Sequence, residues 1–424
     1  MKLFEPKILS ALKGYKPKDY LSDVIAGIIV AIIALPLSIA LAIASGATPE
    51  TGLFTAIIAG FVAALLGGSK VNITGPTAAF ATIVAGIILT QGMDGLFLAT
   101  IMAGILLILM GVLRLGSLIK YIPHTITVGF TGGIAVTLVI GQLKDFLGLT
   151  YPAGVTAIET IDKLKLVVEN ISTFNPFAFI VGMLGLAILI VWPKISKKIP
   201  GSLIAVLIGS LVCIIPVISV NTIGSLYSIS SALPTFSIPE ISLERILALL
   251  PDAFTIALLA GIESLLSCVV SDNMVSDKHN SNTELIALGS ANLLVGFMGG
   301  IPATGAIART AANVKNGGKS PISGMVHAIV LLLVLVLLMP LASFIPMPII
   351  ASILFIVAYN MSEWREFVAI IKTKKWSDIL VLVLTFALTV IFDLVKAIAV
   401  GLVVHYAIVL VRKILQKRKE KTQE

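Results

Sequence analysis

The chain has 424 residues, of which 58% are hydrophobic and 12% charged, and it carries a formal net charge of +8. A soluble domain carries roughly 25% charged residues, so this composition excludes a protein lying wholly in water. The two cysteines, Cys213 and Cys268, exclude a disulfide framework, and the basic residues flank apolar runs rather than interleaving with aromatics, which argues against a nucleic-acid groove.

In chain order, the first twenty residues alternate lysines with apolar positions and give no cleavable leader pattern. The apolar run from Val24 to Ser45 is long enough to cross a bilayer and reads as the first transmembrane helix. Breaks at Gly, Pro and charge place seven spans in the first half, near 24–45, 52–67, 76–91, 95–113, 125–147, 176–193 and 201–219. Seven more follow near 252–271, 284–299, 305–314, 321–342, 346–360, 377–393 and 395–411. Fourteen spans put both termini on one side, and 24 of the 30 Lys and Arg then fall on that side, from Lys2 and Lys7 to Lys419 and Lys421. The opposite side has five, Lys144, Lys163, Lys165, Arg245 and Lys396. By the positive-inside rule both termini are cytoplasmic, and the expected location is the plasma membrane.

The halves echo each other. Gly67-Gly68 precedes Thr74-Gly75-Pro76-Thr77, and Gly299-Gly300 precedes Thr304-Gly305-Ala306; Tyr121-Ile122-Pro123 is matched by Phe344-Ile345-Pro346. Seven is odd, so the second copy runs through the bilayer inverted, the plan of many secondary transporters. Short Gly/Pro-broken segments at corresponding places mark the transport site in such folds, and here they are Gly68 to Thr90 and Gly300 to Gly318. Each should start extended and become helical near mid-membrane, so that two half-helix N-termini face each other. Their free N–H groups and partial positive charge make a seat for an anion.

Two charges stand out well within the spans. Arg309, one turn into the second half-helix, costs roughly 2.5–3.5 kcal/mol at the bilayer centre, which asks for a partner; an arriving anion is the expected one, and a structural ion pair the alternative. Glu263 in span eight shares a helical face with Ser267, and a carboxylate beside a hydroxyl suits carriage of a proton or coordination of Na⁺ during co-transport. A structural tie from Glu263 to Arg309 is the competing reading. Asp272, Asp277, Lys278 and His279 read as a solvated cytoplasmic loop, and His124, His327 and His405 give no metal spacing. No Walker loop, nucleophile elbow or zinc-protease helix is present, so neither an ATP-driven pump nor an enzyme is expected.

The stretch Asp23 to Gly27 running on through Ala34-Leu35-Pro36-Leu37-Ser38, the segment Thr74-Gly75-Pro76-Thr77, Glu263-Ser264-Leu265-Leu266-Ser267, Lys278 to Leu285, and Gly299 to Thr310 together resemble the sulfate permease (SulP) family of anion transporters, over about Asp23 to Val411. The resemblance implies an all-α membrane fold of seven plus seven inverted spans, with spans three and ten as half-helices. Spans 1–4 and 8–11 would form a core domain and spans 5–7 and 12–14 a gate domain. It further implies that the anion binds near Thr77, Ala78, Ala306, Ile307, Ala308 and Arg309, with Leu37 and Leu41 lining the pocket, and that the coupling-ion site maps to Glu263 and Ser267. Members commonly dimerise, so a homodimer in the lipid bilayer is expected. Where Na⁺-coupled bicarbonate transporters have a hydroxyl residue, this chain has Ile307, which favours H⁺ over Na⁺; no other cofactor is expected. Relatives usually carry a STAS domain after the last span, whereas Arg412 to Glu424 is too short for a domain.

The expected organisation is a cytoplasmic segment 1–22, a transport domain 23–411 with repeats about 23–220 and 251–411, and a tail 412–424. The expected function is H⁺-coupled symport of sulfate, bicarbonate or a dicarboxylate by an elevator-type motion. An uncoupled channel, a chloride/bicarbonate exchanger, or a nucleobase transporter of the same fold are the alternatives, the last disfavoured by Arg309.

Overall fold

A computed structural model describes residues 4–117, 123–152, 155, 157, 159–196, 199–392 and 394–423. Lys2, Lys120, Tyr121, Ile122, Lys197 and Lys198, which carry part of the charge bias and of the repeat, lie outside the described residues. The N-terminal segment holds one short turn, α1 (Ile8–Ala11), before α2 (Pro17–Ala44) and α3 (Pro49–Leu66). The two-residue strand β1 (Thr74–Gly75) follows, then a 3-10 turn (Ala78–Phe80) leading into α4 (Ala81–Val112). Next come α5 (His124–Leu147), α6 (Thr160–Glu169), α7 (Pro176–Ile195), α8 (Gly201–Val212) and α9 (Ile223–Leu226). The remaining elements are α10 (Leu243–Val275), α11 (Ser281–Phe297), β2 (Thr304–Gly305), α12 (Ile307–Lys315), α13 (Ile322–Leu338), α14 (Met347–Met361), α15 (Trp364–Lys372), α16 (Trp376–Ile391) and α17 (Leu394–Gln423).

Among the described residues eight helices are long and apolar enough to cross a membrane, and the chain is a multi-pass membrane protein. The difference from fourteen expected spans has local causes. Helix α4 contains two of the expected spans, divided where Gly92 turns to φ +73°, ψ −178°, a conformation that glycine adopts without the steric cost other residues bear. Helices α8, with 12 residues, and α16, with 16, are apolar but short. Starts obey helix chemistry: prolines lead α2, α3 and α7, where a missing N–H costs nothing, and Asn280 caps α11 by accepting from the N–H groups of Asn282 and Thr283.

Small residues let backbones meet. A Cβ on Gly104 would lie 2.7 Å from the Gly289 carbonyl oxygen, and one on Gly289 would lie 2.5 Å from that of Gly104, so α4 and α11 cross in direct backbone contact. Gly52 of α3 meets the Ser38 carbonyl of α2 in the same way. One buried apolar cluster joins α4, α10 and α11 to Ile126, Phe130 and Val381 of α5 and α16. A second joins α2, α3 and α13 to Ala135 and Leu138 of α5 and Ile350 of α14. Outward-facing Ile180, Leu211, Leu337 and Val403 are exposed, as lipid contact requires.

Hydrogen bonds and ion pairs define two ends. At one, Lys7 and Lys70 both reach Asp277, at 3.1 Å each, Lys319 pairs with Asp19 and the Gly116 N–H donates to Asn282. The N-terminal segment, the ends of α3 and α4, and the loops after α10 and α12 therefore share one face. At the other, Asp94 at the α4 break pairs with Arg245, and Glu50 accepts from the Ser230 N–H. The loop after α10 is more structured than expected: Asp272 accepts from both the backbone N–H of His279 and its ring, and His279 is largely buried. Apposed partners seven residues apart in sequence close this loop into a turn, which charge content alone does not reveal.

Candidate functional site

The two interrupted segments cross inside the protein. Strands β1 and β2 pair antiparallel, Thr74 opposite Gly305 and Gly75 opposite Thr304, and the Ala306 N–H donates to the Ile73 carbonyl at 2.8 Å. All of these residues are buried. Immediately after the strands the chain becomes helical on both sides, at Ala78 and at Ile307. Thr77 and Ala306 occupy the N-cap positions in extended conformation, and neither side chain caps its helix. The first N–H groups of α12 thus lack intrahelical acceptors.

Arg309 lies at this crossing. It is 4% exposed, its Nη2 donates to the Pro76 carbonyl, and its Nη1 is buried without a partner. A Cβ on Gly75 would sit 2.5 Å from Nη1, so any larger residue there would shift the guanidinium from its pose. Among the described residues neither Arg309 nor Glu263 enters an ion pair. The half-buried Glu263 instead accepts from the Thr77 hydroxyl at 3.0 Å. Helix α10 therefore touches the segment leading into α4, and Arg309 of α12 holds the same dipeptide, Pro76-Thr77.

The other expected residues divide. Ile307 is 39% exposed and Ala308 is exposed beside it, so the first turn of α12 faces open space although its strand is buried. Ala78 and Leu41 are buried in one apolar cluster. Leu37 is partly buried and packs against the cluster of Val181, Leu189, Ala205 and Ile349 of α7, α8 and α14. Ser267 does reach the interrupted segments, as its shared face with Glu263 implied, but its hydroxyl donates to Asn72 Oδ1 at 2.7 Å and lies 3.1 Å from the Thr310 hydroxyl. It belongs to a buried net one turn from Glu263.

That net holds residues the sequence reading did not single out. The buried Glu284 carboxylate accepts from the Gly68 N–H at 2.8 Å, the Ser69 N–H at 3.2 Å, Asn72 Nδ2 at 2.7 Å and Ser264 Oγ at 3.3 Å. Asn313 Nδ2 donates to the Val71 carbonyl and Thr310 accepts from the Ile73 N–H. Together they tie the irregular backbone 68–73 to α10, α11 and α12. Irregular backbone at membrane depth needs such partners, and a polar residue within a broken apolar segment, such as Asn72, was the available signal.

On the side of α4 facing α5, a cavity of about 540 Å³ runs from Ala79 past Thr82 and Gly86 to Thr90, with Thr137, Thr255 and Thr389 on the facing helices. It opens toward the face opposite the N-terminal segment and reaches inward to the residue after Ala78.

The model of the sulfate permease family matches residues 20–385. The chain belongs to the sulfate permease family. It is 45% identical over 397 residues, 93% of this chain and 74% of the relative, to a Bacillus subtilis protein named "Putative sulfate transporter YvdB". It is 33% identical to the bicarbonate transporter BicA of Picosynechococcus sp., over 90% of this chain and 69% of that one. The solved transmembrane domain of a cyanobacterial bicarbonate transporter BicA superposes with a TM-score of 0.81 at 30% identity, covering 91% of this chain and 98% of that one.

Proposed function

We propose that this protein is a secondary active transporter of small anions of the sulfate, bicarbonate or dicarboxylate class. The observation that carries the reading is the pairing of β1 with β2 beside Arg309. It brings two uncapped helix starts and one guanidinium to a single point, with Ile307 and Ala308 open to a ligand. Backbone N–H groups and helix dipoles favour negative charge without selecting a side chain. An anion with two or more oxygens could also accept from Arg309 Nη1, which is otherwise unpaired.

Coupling is assigned to H⁺ at Glu263. Its carboxylate meets Thr77 at the mouth of the first half-helix, where proton uptake would offset the charge of the anion carried. The reading also takes α4 as two crossings divided at Gly92 and counts α2, α3, α5, α7, α8, α10, α11, α12, α13, α14, α16 and α17 as one each. Fourteen crossings in two inverted sevens result, both termini cytoplasmic, in the plasma membrane, with the protein working as a homodimer. The core group (α2–α4 and α10–α13) carries the site, and its movement against the gate group (α5, α7, α8, α14, α16, α17) exposes the site alternately. The cavity along α4 supports this, because its walls come from both groups.

The test is uptake of labelled sulfate, bicarbonate, succinate and chloride into proteoliposomes, with imposed H⁺ or Na⁺ gradients. An acid-outside gradient should drive accumulation in the native protein. Glu263→Gln, which cannot release a proton, should still exchange anion for anion yet ignore the gradient. Full proton-driven accumulation by Glu263→Gln would make the carboxylate structural, and flux without saturation or counter-transport would make the protein a channel.

A further inference from the structure

Helix α13 takes no part in the crossing, yet one of its faces is pressed against the first interrupted segment. A Cβ on Gly324 would lie 3.6 Å from Ile73 Cδ1 and 3.8 Å from the Asn72 carbonyl oxygen. One turn further on, His327 is fully buried at 0% exposure, and neither ring nitrogen has a hydrogen-bond partner. A buried polar group left unpaired is costly, and each such group in a native fold calls for an explanation. The ring sits where α3 has no side chain: a Cβ on Gly60 would be 3.2 Å from His327 Nδ1 and 3.5 Å from the Thr74 carbonyl oxygen. The Thr74 hydroxyl is also buried and unpaired. The next residue, Gly75, is the one against which Arg309 Nη1 packs. His327 and the unpaired nitrogen of Arg309 therefore flank the same dipeptide, Thr74-Gly75.

We propose that His327 is a positioning residue for the anion seat, holding Arg309 in its pose over Pro76 through a buried water shared across Thr74-Gly75. The assignment rests on Arg309 serving as part of the anion seat. A buried water makes about three hydrogen bonds to groups that otherwise have none. An imidazole offers one donor and one acceptor in its neutral form, so it can accept from that water or donate to it while Arg309 Nη1 donates. Gly60 and Gly75, lacking side chains, let the imidazole and the guanidinium each come close to the backbone of this dipeptide.

The test compares His327→Phe and His327→Leu, which remove both nitrogens, with His327→Gln, which keeps a donor and an acceptor, in proteoliposomes taking up sulfate or bicarbonate. Either apolar variant that inserts should raise KM about tenfold while the maximal rate stays within about twofold, and His327→Gln should stay close to the native KM. In an Arg309→Ala background, His327→Phe should add nothing, because the group it positions is gone. An unchanged KM in the apolar variants overturns the proposal. So does an equal rise in the glutamine variant, which would signal packing alone, and so does an additive rise in the Arg309→Ala background. If Arg309→Ala itself transports with native KM, the anion-seat reading fails; if Arg309→Ala is impaired and His327→Phe is not, only the role of His327 fails.

Discussion

Arg309 is held by a single carbonyl, that of Pro76, with half of its fork unengaged. A hydrogen bond to a charged group contributes about 1.5–3 kcal/mol, so Arg309→Ala should weaken anion binding about 10- to 100-fold while the protein still inserts. Arg309→Lys, a point charge without the planar fork, should fall between the two, and titration of the purified protein with sulfate and bicarbonate would measure both. Arg309 was legible in the sequence because a lone cation within an apolar half-helix contradicts its surroundings. Glu284 and His327 were not: a side-chain partner of Glu284 lies far off in the chain, 212 positions away at Asn72, and His327 is one histidine in an apolar run with no motif around it. Glu284 in particular reads as an ordinary acid in the first turn of a helix. Only the folded chain brings it to the backbone of Gly68 and Ser69.

At the scale of elements, the span pattern located most helices to within a few residues, since apolar length is what the bilayer selects. It erred where length and backbone geometry part. The run 201–219 becomes a helix of 12 residues because the chain turns after Val212, and the amphipathic helices α6 and α15 carry too many charges to register as spans. The expected break between spans three and four is one residue, Gly92, whose conformation would cost another residue about 1–3 kcal/mol. A Cβ there has nothing within 4 Å, so Gly92→Ala tests the backbone alone. It should lower the thermal stability of the solubilised protein by about that amount, and an unchanged melting temperature would show that the turn relaxes.

For the molecule as a whole, the N-terminal segment is fastened to the face formed by the loops after α3 and α10. Burial raises the pKa of Asp277, but the Lys278 N–H and the ammonium groups of Lys70 and Lys7 outweigh it, and the carboxyl titrates below its ordinary value. The attachment is therefore complete above the ordinary carboxylate range and is lost as pH falls through the lowered value. A cysteine at position 11, half-buried on α1, should gain reactivity relative to a free thiol at the same pH only in that acid window; a ratio independent of pH there would remove Asp277 from the attachment. The charge bias gives a second test at this scale. In a background without Cys213 and Cys268, cysteines at positions 2 and 420 should both react only with reagent supplied from the cytoplasmic side, and labelling of either from outside would break the fourteen-span count.

The ladder of two residues between β1 and β2 has a consequence for heredity. Each partner is drawn from a different half of the chain, and a Cβ at position 75 would displace the tip of an arginine 234 positions later. A change in one half at this point is therefore felt in the other. A chain cut in the segment between α9 and α10 would leave two fragments, each holding one strand and neither able to bind an anion alone. Co-expressed, they should recover transport only by finding each other at that ladder.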